Sequence, residues 1–306
     1  GSTAASKVEL MDWDKIRVFH AVAEAGSFTH AGEMLNLSQS SVSRQVSALE
    51  KSLNAPLFHR HARGLRLTET GQALFKTAKE VSAKLAMAEA QVSESLDRPK
   101  GPLRITTTVA FGSIWLTDRL KEFIESYPEI DVTLVVSEEE LDLSMGEADV
   151  AVRMNPPRQP DLIQRRLATM HHRAFASPGY IKTHGMPHNF DDLDHHQLIG
   201  YDDTFRPPYV EINWMLKAGL DGDRTRRPVL RVNNIYGMYR AAASGLGIAS
   251  LPDYMGQVAR DLVPVLTEME GPAFDIYFSY PEELRHSQRI AVFRDFLLRS
   301  TGIDAN

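Results

Sequence analysis

The chain has 306 residues, 43% of them apolar and 24% charged, an ordinary composition for a soluble protein but too long a chain for a single compact core. It contains no cysteine, which excludes disulfides, thiolate metal sites and cysteine nucleophiles. The net charge of -6 hides a segregation that argues against one uniform task. From Asn36 to Thr68, Arg44, Lys51, Arg60, Arg63 and Arg66 face only Glu50, while Ser137 to Asp149 holds Glu138, Glu139, Glu140, Asp142, Glu147 and Asp149 with no Lys or Arg. A basic patch on an acidic chain suits a nucleic-acid-binding module joined to a domain of another kind. No apolar run approaches the roughly 18 to 20 residues needed to cross a membrane, so no membrane partner is expected. Gly1 to Ser6 read as an expression scar and lead-in without a secretory signal, and the cytoplasm is the expected compartment.

Ile16, Phe19 and Ala23 fall on one face of a first helix, which Gly26 can end with a left-handed cap. Ser27 is an N-cap for a second short helix with Phe28, Ala31 and Leu35 inward, and Asn36 and Leu37 make a tight turn. Ser38 caps a third helix, on which Val42, Val46, Leu49 and Leu53 form a narrow apolar stripe. Ser40, Ser43, Arg44, Ser47 and Lys51 lie opposite, with Gln39 at the N-terminal rim. Such low bulk suits a major groove, where Gln reads adenine and Arg takes guanine or phosphate. A merely solvated polar face would look similar in isolation. The segment PLFHRHARGLRLT decides the matter: Leu57 and Phe58 begin one short strand, His61 to Gly64 turn, and Leu65 to Leu67 alternate in a second. That is a wing, whose Arg60, Arg63 and Arg66 can reach phosphates or the minor groove.

The run AVAEAGSFTHAGEMLNLSQSSVSRQVSALEKSLNAPLFHRHARGLRLTETG resembles the signature of LysR-type transcription regulators over its whole length, and within that family it is most similar to the VtlR/LsrB type. The resemblance implies phosphate contacts from Ser27, Thr29 and Ser43, base-edge or phosphate contacts from Gln39, Ser40 and Arg44, and wing contacts from Arg63. Ser40 departs from the proline that family members often carry. The expected fold is mixed: a winged helix-turn-helix over 11–68, a linker helix over 69–97, a hinge at 98–102, and a two-lobed α/β effector domain like the periplasmic binding proteins. Lobe I spans 103–168 and 274–306, and lobe II spans 169–273.

Thr68 caps the linker helix, with Glu69 in its positive first turn. Leu74, Ala78, Val81, Leu85, Ala88, Val92 and Leu96 then repeat at spacings of four and three, a heptad stripe that needs a partner. Packing on the same chain is one solution. Pairing with the same helix of a second subunit is the stronger one, since a two-fold dimer presents two recognition helices to an interrupted inverted repeat in double-stranded DNA. The resemblance implies the same homodimer, assembly to a tetramer, and RNA polymerase as a further partner. Asp97 to Pro102 break the helix.

Beyond the break, strands LRITTT, IDVTLVV and ADVAV alternate with helical patterns and indicate a parallel α/β sheet. LIQRRLATMHHRAFAS leads into the second lobe and FDIYFSY returns to the first. A cleft between lobes joined by two crossovers suits a small polar or anionic effector, gripped by hydroxyls and helix N-terminal amides. Position in the loops nominates Thr107, Thr108, Ala110, Phe111, Ser137, Tyr201, Asn233 and Asn234, although each also has an ordinary role as cap or core. The acidic run at Glu138 to Glu140 could repel anions there. His171, His172, His184, His188, His195 and His196 lack the spacing of a metal site, and no catalytic motif is visible, so neither metal, cofactor nor enzyme activity is expected. The alternatives are an enzyme or a solute-binding protein with an accessory DNA-binding module.

Overall fold

The computed structural model describes residues 11–61, 64–94 and 98–301. These fall into two compact units divided between Glu89 and Ala90. The first unit opens with α1 (Trp13–Ala25), α2 (Phe28–Leu35) and α3 (Gln39–Leu53), continues through the hairpin β1 (Phe58–His61) and β2 (Gly64–Leu67), and enters α4 (Glu69–Ser93). Val18, Phe19, Val22, Ala31, Val42, Val46 and Leu49 make its core, each essentially closed to solvent. A fully buried Val, Leu or Phe contributes about 1.5–3 kcal/mol, enough in sum to hold three short helices that would not persist singly.

Local chemistry sets the breaks between these helices. Gly26 ends α1 at φ 66°, and Asn36 ends α2 at φ 55°. Gly32 permits the tight turn that follows: a Cβ there would sit 2.6 Å from the Leu37 carbonyl oxygen, while Leu37 N–H donates to Gly32 O at 2.8 Å. Thr68 caps α4 by accepting from Gly71 N–H at 2.9 Å, and its own hydroxyl donates to Pro56 O at 2.7 Å.

The second unit is built on one nine-stranded sheet of order β4-β3-β5-β11-β6-β9-β7-β8, with β10 beside β6. Its strands are β3 (Gly101–Thr107), β4 (Ile130–Val136), β5 (Val150–Arg153), β6 (Leu162–Ala176), β7 (Leu198–Tyr201), β8 (Leu230–Val232), β9 (Ile248–Pro252), β10 (Val263–Val265) and β11 (Ala273–Pro281). Its helices are α5 (Thr117–Ser126), α6 (Pro178–His184), α7 (Ile235–Ala243), the short α8 (Met255–Val258) and α9 (Gln288–Ser300). β3 pairs in parallel with β4 and β5, and β7 with β8 and β9, so each lobe has a parallel core. The antiparallel strands β6 and β11 run through both lobes as the two crossovers. Their register slips between Ile276 and Tyr277, and β11 pairs with β5 from Tyr277 onward. Return to the first lobe therefore falls a few residues later than the expected boundary at 273/274.

One expectation is corrected at the hinge. Gly101 and Pro102 belong to β3, opposite Ile130 and Asp131, and not to the break. Gly101 N–H donates to Glu129 O, so alternation turns the position of Pro102's missing N–H away from β4, on the side where β5 pairs only from Ile105. Proline is harmless there. Leu96 and Asp97 lie outside the described residues.

Candidate functional sites

On α3, Val42, Val46 and Leu49 are closed to solvent, which leaves Gln39, Ser40, Arg44, Ser47 and Lys51 exposed and Ser43 half-buried. Ser38 Oγ accepts from Ser41 N–H at 3.2 Å, so the helix starts where the sequence places it. The Ser40 hydroxyl lies 3.1 Å from that of Ser38 and helps fix the cap without proline. Ser27 Oγ accepts from His30 N–H at 3.4 Å, and a hydroxyl that accepts still has a proton to give a phosphate. Thr29 is exposed on the same first turn of α2. Glu50, near the end of α3, ties the wing to the helix by accepting from Leu57 and Phe58 N–H at 2.8 and 3.3 Å. In the hairpin Arg66 is exposed opposite His59, and Arg60 pairs with Leu65. Arg63 and the side chain of Arg60 lie outside the described residues.

The stripe on α4 divides in two. Ala78 is buried, and Leu74 packs with Phe75 against the core of the first three helices. Further along, Val81, Leu85 and Val92 are 37%, 49% and 89% exposed, and Ala88 is exposed beside them. An apolar row left open on a 25-residue helix is the feature that a second subunit would cover.

In the second unit a cavity of about 490 Å³ opens between the lobes. One wall comes from Glu138, Glu139, Glu140, Asp142, Arg153, Asn155, Arg158 and Gln159, and the other from Tyr201, Phe205, Arg206, Pro207, Pro208 and Asn233. Arg206 crosses the cleft to Glu140 with an N–O distance of 2.9 Å, and the Asn155 amide donates to Pro207 O at 2.8 Å. Arg153 ends β5 with its guanidinium turned onto the acidic segment, donating to Ser137 O at 2.9 Å and Glu139 O at 2.7 Å. The Glu138 carboxylate accepts from Val109 N–H at 3.1 Å, at the start of the helical run after β3. Burial holds that carboxyl above its ordinary pKa, against the opposing pull of the Val109 bond and Arg153. Gly112 lets the run lie close over the sheet, since a Cβ there would meet Val136 Cγ1 at 2.4 Å.

Of the side chains nominated from sequence, Tyr201 and Asn233 line the cavity. Tyr201 is held at the end of β7 by both amide groups of Asn213, donates its hydroxyl to Arg206 O, and has its pKa pushed up to about 12 by burial, Glu138 and Asp202. The others serve the fold around the cleft. Thr107 donates to Val152 O at 2.7 Å, and Thr108 Oγ1 lies 3.8 Å from Met154 Sδ. Ala110 and Phe111 are enclosed, with Phe111 stacked on Trp115 and edge-on to Tyr254. Ser137 Oγ accepts from Glu139 N–H, and Asn234 caps α7 by accepting from Gly237 N–H at 2.7 Å. Arg153, Asn155, Phe205 and Arg206 were missed. Only Arg153 left a signal, a cation ending the otherwise apolar strand VAVR.

Among the described residues no group of three or more His, Asp or Glu side chains could hold a metal. His172 is instead buried structure. Its Nε2 lies 3.0 Å from Val210 O and its Nδ1 lies 3.3 Å from Ser250 Oγ, which accepts from Trp214 Nε1–H at 2.7 Å. That chain of bonds assigns a neutral ring with its proton on Nε2, and desolvation lowers its pKa to about 4.

The profile described as the LysR substrate binding domain matches residues 96–302, and that of the bacterial regulatory helix-turn-helix protein, lysR family, matches residues 13–72. The chain belongs to the LysR family of bacterial transcription regulators. An HTH-type transcriptional regulator of Xanthomonas campestris is 31% identical over 96% of this chain and 87% of its own length. CrgA of Neisseria meningitidis is 30% identical over 94% of this chain and 97% of its own. A CrgA structure superposes with a TM-score of 0.59 at 29% identity, covering 94% of this chain and 98% of that one. This LysR-type regulator thus combines a DNA-binding winged helix-turn-helix with a two-lobed effector-binding domain, in a family of regulators and not, in general, of enzymes. Among the described residues, no helix is long and apolar enough to cross a membrane.

Proposed function

We propose that this regulator binds an interrupted inverted repeat as a homodimer joined through α4, and that a small molecule in the interlobe cleft alters its hold on DNA. The observation that carries the reading is the face of α3. Gln39, Ser40 and Arg44 stand exposed on a helix whose cap and apolar stripe are fully used in folding, with Ser27, Thr29, Ser43 and the wing arginines Arg60, Arg63 and Arg66 as phosphate contacts. The open row Val81, Leu85, Ala88 and Val92 supports the dimer, with Leu74 and Ala78 anchoring the same helix in its own domain. Two such dimers would make a tetramer, with RNA polymerase as a partner at promoters and the cytoplasm as the compartment. Effector binding would shift the lobes, and through them the spacing of the two recognition helices and the bend in the DNA.

Selection of bound sequences from random duplexes tests this. Enrichment of an inverted repeat is expected. Arg44→Ala should weaken binding about 5- to 150-fold, the equivalent of 1–3 kcal/mol for a bidentate base contact, and added salt should weaken it further. No enrichment by a folded full-length chain would defeat the reading.

A further inference from the structure

Resting on that reading of the cleft, we propose that its effector is a small organic cation, whose ammonium or guanidinium group sits between the carboxylate of Glu138 and the exposed ring of Phe205. The cleft's own bonds lead there. An anionic effector would look for the helix N-terminal amide after β3, but the Val109 N–H already donates to Glu138. The cleft's arginines do not replace it. Arg153 lines the cavity but spends its Nη2 on the Ser137 and Glu139 carbonyls, with its Nε enclosed, Arg206 is paired with Glu140, and Arg158 is exposed. An anion in the interior would face the Glu138 carboxylate, and like charges in a half-enclosed site cost several kcal/mol.

A cation meets the opposite conditions. Glu138 uses Oε1 on Val109, and its Oε2 has no hydrogen bond among the described residues. Tyr201 and Phe205 line the same cavity, and Phe205 is 52% exposed, a large ring held at the mouth with little of its own to pack on. A carboxylate and an exposed aromatic ring around one space are a combination that recognises ammonium and guanidinium groups. The ligand therefore carries a cationic end, within a space of about 490 Å³.

Calorimetric titration of the full chain with agmatine, L-arginine and, as the anionic counterpart, glutarate tests the assignment at fixed ionic strength. Agmatine or arginine is expected to bind and glutarate is not. Glu138→Gln should weaken the cation at least tenfold, and Phe205→Ala several-fold. A glutamine still offers an oxygen to Val109 N–H, so the variant should keep the parent's melting temperature, and a folded control is in hand. Cation binding that survives Glu138→Gln unchanged, or no cation binding by the parent chain, overturns the proposal. If glutarate binds instead and Asn155→Ala abolishes it, the cation assignment falls while the cleft stands as the effector site. If no probe's binding responds to Glu138→Gln, Phe205→Ala or Asn155→Ala, both fall together.

Discussion

On α3, Arg44 and Lys51 stand exposed with no ion pair among the described residues, whereas in the cleft Arg153, Arg206, Glu138 and Glu140 are all engaged by their own chain. The two surfaces meet different partners. Duplex DNA brings a dense line of phosphates, and binding gains from releasing its counterions, so cations kept unpaired on the protein are used directly. A small molecule brings one or two charges and must compete with bonds already made. On the proposed function, the cleft exchanges internal bonds for ligand bonds and so moves the lobes, whereas the α3 face gains affinity without rearrangement.

The largest effect that separates the two regions comes from a single methyl group. Gly32→Ala would ordinarily favour a helix by about 1 kcal/mol. Here its Cβ lies 2.6 Å from a backbone oxygen that cannot swing away, so the turn between α2 and α3 must open. A loss on the order of 3 kcal/mol in the DNA-binding unit is expected, with operator affinity falling alongside. Hydrogen exchange should show faster exchange in α1 to α3 and no change in β3 to β11. Protection lost across both units would mean that they fold as one.

Arg153→Met is the counterpart in the cleft. Methionine keeps the bulk but removes the donors to Ser137 O and Glu139 O, leaving carbonyls half-enclosed and unpaired. A destabilisation of about 2–4 kcal/mol is expected, confined to the effector unit. A melting temperature within a degree of the parent would show that water replaces the guanidinium at no cost.

That contrast also explains what could be read from sequence. The helix N-caps and the α3 stripe in the first unit join residues two to four apart: Asp12 to Asp14, Ser27 to His30, Ser38 to Ser41, Val42 to Val46. The short-range pattern is the structure. The cleft is made by pairs such as Arg153 with Ser137 and Arg206 with Glu140, which stand 16 and 66 residues apart, and no periodicity announces them. Loop position nominated Tyr201 and Asn233, which line the cleft, together with Thr107, Thr108 and Phe111, whose side chains turn into the fold. The hinge was misjudged because Gly101 and Pro102 look like breakers until the pairing of β3, open on the β5 side before Ile105, is known.

His172 sharpens the comparison through pH. The denatured chain binds a proton near pH 6.5, but the buried ring does so only near pH 4. Protons thus favour the unfolded state between those values. The contribution is full above about pH 6.5 and declines as pH falls toward 4, by at most about 3 kcal/mol. His172→Gln should flatten the pH dependence of effector-unit stability over that window by one proton's worth. Equal slopes for parent and variant would show the ring already protonated in the folded protein.

The smallest effect tests the latch itself. Arg206 and Glu140 join the lobes at 2.9 Å, but their side chains are 38% and 21% exposed, so solvent screens the pair. A double-mutant cycle with Arg206→Gln and Glu140→Gln should give a coupling of about 0.2–1 kcal/mol in thermal unfolding, shrinking further in 1 M salt. Weak coupling is what a reversible closure requires, because a ligand can only shift the lobes by its own differential affinity for the two arrangements. Coupling above about 3 kcal/mol that salt does not reduce would make the pair a buried staple. The cleft would then be closed by its own chain too firmly for a small molecule to open.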